Sequence, residues 1–207
     1  MIISTIILGW SGIILFLITA FIFPKIAKNN EFAFIHFLLA WMYAFWLPVP
    51  LVLNQLLDFD YLQIGIIFGF IYLFMLIITM VLQTGHITYI VKNNTGQAIT
   101  DKESKYMMAT LSDPFEAFAN VFKSIWALFL AIGFWNNGEY VMGCLMILFS
   151  LFGVYYLFLI LNNILVTPVK LFAKVKPNVY VTNLETFFFF LILLIYIPNW
   201  FKDFFTI

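Results

Sequence analysis

The chain has 207 residues, of which 64% are hydrophobic, 21% aromatic and only 10% charged. Soluble domains carry about a quarter charged residues, so this composition excludes an ordinary water-soluble fold and points to an integral membrane protein. Ten basic residues balance ten acidic ones, which gives no reason to expect nucleic acid or another polyanion as partner.

The single cysteine, Cys144, excludes a disulfide framework or thiolate cluster within one chain. Every basic residue is a lysine, so bidentate arginine recognition of phosphate is excluded too.

Apolar runs fall at about 2–23, 32–57, 61–91, 115–135, 140–166 and 184–201. Each is near the ~20 residues that a helix needs to cross the hydrocarbon core. The expected fold is therefore an all-α integral membrane protein: six transmembrane helices in one bundle, a single domain over 1–207, with a cytoplasmic loop at 92–113. The first run lacks a basic flank and a small-residue cleavage site, so it is expected to stay with the protein rather than act as a removable signal.

Orientation follows from lysine placement. Lys25 and Lys28 follow the first run, Lys92, Lys102 and Lys105 lie between the third and fourth, and Lys170, Lys174 and Lys176 lie between the fifth and sixth. The opposite side has Lys202 and two short acidic turns, Asp58-Phe59-Asp60 and Asn136-Asn137-Gly138-Glu139. The positive-inside rule then places these lysine loops in the cytoplasm and both termini outside. Asn93-Asn94-Thr95 matches a glycosylation acceptor but falls on the cytoplasmic side by this reading, and is taken as chance.

In the second run, Pro48 and Pro50 remove two backbone donors and should bend the helix there. Gly65 and Gly69 in the third form a G-x-x-x-G, which suits close packing within the chain. Thr79, Gln83 and His86 share one face at i, i+4, i+7. Asp113-Pro114-Phe115-Glu116 reads as a helix start with Asp113 as cap, Pro114 in the first turn and Glu116 closing a capping box. Beyond it Glu116, Asn120 and Lys123 form a second polar stripe. Thr100 with Glu103, and Thr182 with Glu185, are further capping pairs, and Asn162 and Asn163 before Pro168 end the fifth helix.

The polar residues thus gather at the lysine-bearing rim: Glu31, His36, Gln83, His86, Glu116, Asn120, Lys123, Asn162, Asn163, Asn183 and Glu185. The middle of the membrane reads as free of ionisable groups other than tyrosine, with Lys123 snorkelling to the headgroups. The candidate site is His36, Gln83, His86, Glu116, Asn120 and Lys123. No H-E-x-x-H, C-x-x-C or G-x-S-x-G occurs, so the sequence names no metal centre, no cofactor and no nucleophile.

Three functions are consistent with this pattern. The first is a small polytopic protein of a bacterial plasma membrane acting by association, as an accessory, assembly or immunity-type subunit. Its partners would be membrane lipids and another membrane protein or a second copy of itself. The second is a transporter or permeation subunit for an uncharged, apolar or lipidic substrate. The third is a lipid-modifying or metal-assisted enzyme using His36, His86, Glu116 and Lys123 on the cytoplasmic side.

Overall fold

A computed structural model describes residues 1–57, 59–93, 101–167, 169–170 and 172–205. It is all-helical, and six stretches are long and apolar enough to cross a membrane. They are α1 (Ile2–Lys28), α2 (Phe32–Trp46) with α3 (Val49–Leu56), α4 (Leu62–Asn93), α5 (Asp101–Met107) with α6 (Asp113–Asn136), α7 (Tyr140–Ile164) and α8 (Val179–Phe205). Asp58, Asn94, Thr95, Thr100 and Pro168, which figured in the sequence reading, lie outside the described residues.

The helices pack in the order α8, α1, α2, α4, α6, α7, a ring whose last gap lies between α8 and the α6–α7 pair. In lipid, helices associate through packing and polar contacts rather than through the hydrophobic effect. The glycines of α4 show how close the packing is. A Cβ on Gly65 would come within 2.6 Å of Phe129, and one on Gly69 within 2.8 Å of Trp126, so the G-x-x-x-G serves the contact between α4 and α6. Between α1 and α2, the Trp46 indole N–H donates to the Gly9 carbonyl at 3.2 Å, and Gly12 leaves space for the same ring.

The helix bends at Leu47–Pro48 as the prolines require, and resumes as α3 with Val49, Pro50, Val52 and Leu53 buried. The segment after the prolines is thus part of the core. Two tight turns use a left-handed residue: Asn30 (φ 58°) between α1 and α2, and Gly138 (φ 77°) between α6 and α7, residue types that tolerate that region best.

Two helix starts differ from the sequence reading. The short helix expected after Thr100 runs on into the next span, so α6 does not begin anew at Asp113. A π turn over Met108–Ser112 joins α5 to α6. Pro114 has no N–H and its ring crowds the carbonyl four residues back; the wider π turn makes room while the helix continues. The last helix begins at Val179, not near 184, and its cap is Asn178, whose Oδ1 accepts from the N–H groups of Tyr180 (3.1 Å) and Val181 (3.2 Å). Glu116 and Glu185 are thereby released from capping.

The core between the ends is aromatic. Phe190 of α8 stacks on Trp46 with ring centroids 4.0 Å apart, Phe189 meets Trp126 and Phe149 edge to face, and Phe134 meets Tyr196 nearer the end that carries the termini. Through these large side chains, rather than by close backbone approach, α8 closes the ring against α6 and α7.

Candidate functional site

The polar chemistry forms two tiers on the lysine-bearing side of that aromatic layer. In the upper tier, nearest the lysine loops, α4 meets the π turn. Pro114 and the π turn change how the preceding carbonyls are used, and the Leu111 carbonyl accepts from Thr79 Oγ1 and from Gln83 Nε2 (3.4 Å). Gln83 Nε2 also donates to Thr79 Oγ1 (3.1 Å) and to Glu116 Oε1 (3.0 Å), which accepts Ser112 Oγ as well (2.6 Å). Glu116 therefore ties α6 to α4.

The lower tier is a buried ion pair. Lys123, 1% exposed, donates from Nζ to Glu185 Oε2 of α8 and to Thr186 Oγ1 at 2.8 Å. Tyr156 of α7 donates its hydroxyl to the same Glu185 oxygen at 3.0 Å. The Tyr72 and Tyr156 rings lie 5.3 and 5.7 Å from the ammonium, within cation–π range. Four helices thus converge on one charge. Tyr72 lies ten residues along α4 from Leu62, roughly 15 Å at 1.5 Å per residue, half the thickness of the hydrocarbon core.

This overturns the reading of an uncharged membrane middle with Lys123 snorkelling outward. A long cation turned inward costs heavily unless it is paired and hydrogen-bonded, and here it is both. The pair also leaves an acceptor over: Glu185 Oε1 is buried with no hydrogen-bond partner among the described residues.

On the lysine-bearing side of the ion pair, the π turn, α6, α7 and the start of α8 border a half-open cavity of about 70 Å³ whose walls include Asp113, Glu116, Asn120, Tyr156, Asn163 and Thr182. Its floor rests on Tyr156, and so on the ion pair beneath. Asn120 is 2% exposed. Its Nδ2 donates to the Glu116 backbone carbonyl at 2.8 Å, which fixes the amide orientation and leaves the buried Oδ1 without a partner among the described residues.

Of the six residues the sequence singled out, four enter this arrangement: Gln83 and Glu116 in the upper tier, Asn120 in the cavity wall, Lys123 in the ion pair. The two histidines do not join them. His36 is half-buried with Nδ1 2.7 Å from the Phe32 carbonyl one turn back on its own helix, and His86 is half-buried on α4 outside the cavity lining. Among the described residues no three His, Cys, Asp or Glu side chains converge as metal ligands would. Sequence reasoning undervalued Glu185, Tyr156, Thr186 and Tyr72. A lysine at 123 that required a carboxylate partner was the available signal.

Fold and site together define a six-span polytopic membrane protein with a polar centre inside one end of its bundle. Comparison with protein-family models, with curated proteins and with solved structures gives no match.

Proposed function

We propose that the protein acts by association with another component of its membrane, received at the seam where α8 meets α6 and α7, and that the lysine-bearing end which carries this seam faces the cytoplasm of a bacterial plasma membrane. One observation carries the reading. The cavity in the seam is lined largely by polar residues, one of which, Asn120, keeps a buried Oδ1 without a partner among the described residues, and buried polar atoms are normally satisfied. The seam is also held by long side chains rather than by close helix contact, the kind of junction that admits a neighbour at small cost in packing. An accessory or assembly subunit needs just such a one-sided receiving surface.

The test is a photo-crosslinking side chain placed at Asn163, at the mouth of the cavity, in cells that make the full chain. A discrete adduct to a protein or lipid, not seen with the same group at Glu139 at the other end, is the expected result. Recovery of an uncrosslinked, monomeric chain from both positions would overturn the reading.

A second reading, permeation or transport of a small or lipidic substrate, is favoured by the ion pair beneath the cavity, since charges kept inside a membrane commonly mark a path or a coupling site. The aromatic layer of Trp46, Trp126, Phe189 and Phe190 closes the core beyond the pair, so this reading requires α8 to move. Flux of a labelled lipid between leaflets of proteoliposomes, present with the native chain and lost in Glu185→Gln, would favour it over association. The enzyme reading draws no support from the cavity, whose lining residues include neither His36 nor His86.

A further inference from the structure

The chemistry of the cavity specifies what it receives. The polar side chains that α6 contributes to its wall, Asp113, Glu116 and Asn120, bring hydrogen-bond acceptors, while Asn163, Asn183 and Thr182 line the rest. Asn120, in the wall, commits its amide nitrogen to the Glu116 carbonyl and keeps Oδ1 buried and without a hydrogen-bond partner among the described residues. Glu116 holds Gln83 and Ser112 on Oε1 alone, which leaves Oε2 for a ligand. Asp113, one turn nearer the mouth on the same wall, is half-buried. Among the described residues no lysine or histidine lines the cavity, and the buried cation Lys123 is occupied by Glu185 and Thr186.

Two carboxylates and an orphaned amide oxygen in a half-enclosed space call for a ligand that is cationic and rich in donors. A primary ammonium has three N–H donors and a positive charge, and charge-assisted bonds to carboxylates are the stronger kind. The space, about 70 Å³, suits an ammonium with its first methylenes rather than a whole lipid. The cavity opens where α8 begins, beside the exposed Lys174 and Lys176, at the level where headgroups lie and where lysines would meet a phosphate.

We infer that this cavity is a binding site for a primary ammonium group, and that its source is the headgroup of an aminophospholipid in the adjoining leaflet. The inference rests on the association reading above and narrows it to a chemical class. The ammonium would sit against Asp113, Glu116 and Asn120 with the phosphate outward toward the lysine loop.

The experiment uses the full chain in nanodiscs of phosphatidylcholine, with melting followed by tryptophan fluorescence. Replacing part of the phosphatidylcholine by phosphatidylethanolamine with the same acyl chains is expected to raise the melting temperature, with apparent affinity about tenfold above that for added phosphatidylcholine, as a charge-assisted hydrogen bond to an acidic site would give. Ethanolamine added to pure phosphatidylcholine discs identifies the source. A weak shift supports the lipid, whereas a shift as large as the lipid's assigns the site to a soluble amine and overturns that part of the proposal. An equal shift from choline, or from potassium chloride at matched concentration, would overturn the ammonium assignment itself.

Asp113→Asn with Glu116→Gln should abolish the selectivity; Asn163→Trp, which narrows the mouth without touching the Gln83 network or the ion pair, should do the same if the double variant does not fold. Selectivity retained in a folded variant of either kind overturns the proposal. A native chain that shows no selectivity for the amine but still gives the Asn163 crosslink would sink this inference alone, whereas absence of both would remove the association reading with it.

Discussion

Lys123 shows what a single charge does when the lipid offers it no water. Its ammonium is enclosed by Glu185, Thr186 and the rings of Tyr72 and Tyr156, and each partner comes from a helix other than its own. Removing one member of a buried pair leaves the other uncompensated, at about 3–5 kcal/mol, whereas replacing both by apolar groups of similar size is often close to neutral. Lys123→Met and Glu185→Gln should therefore each destabilise the folded chain by that amount, and Lys123→Met with Glu185→Leu should recover most of the loss. Unfolding in a mixed-detergent titration reads all three, and single variants that lose under about 1 kcal/mol would show the pair to be solvated rather than buried. A smaller effect belongs to Gln83. Gln83→Leu strands Glu116 and the Leu111 carbonyl in part, and should cost about 1–3 kcal/mol in the same titration; a neutral result would mean that water satisfies both.

At the scale of the element, the sequence was most legible where one physical rule acted alone. The six apolar runs, the bend at Pro48 and Pro50 and the packing role of Gly65 and Gly69 follow from length, a missing N–H and a missing side chain, and each is present in the bundle. It was least legible where two rules competed. Asp113-Pro114 carries the marks of a helix start, but a proline is also tolerated after a π turn, and nothing local decides between the two. Taking the helix to begin there set Lys123 one short reach from the headgroups. Beginning the last helix at 184 rather than Val179 likewise set Glu185 at the surface. Both errors moved a charge outward, and together they concealed the ion pair. The glycines offer a check of the packing: Gly69→Val, facing the buried Trp126 ring at 2.8 Å, should destabilise the bundle by about 1–3 kcal/mol. Gly85→Ala, with nothing within 4 Å, should be neutral or stabilising by up to ~1 kcal/mol. Equal effects at the two positions in thermal melts would contradict the assigned contact between α4 and α6.

For the molecule as a whole, the arrangement is polarised along the membrane normal. One end holds the start of α1 and the acidic turns; an aromatic layer fills the core; the other end holds most of the lysines, the cavity and, beneath it, the ion pair. Six spans bring both termini to the same end by parity, and lysine placement proposes that this end is external. That orientation decides which leaflet could supply a headgroup and which compartment a partner would approach from, so both functional readings depend on it. In a Cys144→Ser background, single cysteines at Glu139 and at Asn163 can be labelled with a membrane-impermeant maleimide in intact cells and in inverted vesicles. Glu139→Cys is expected to label only in intact cells and Asn163→Cys only in inverted vesicles; the reverse pattern would put the cavity on the outer face and overturn the cytoplasmic orientation.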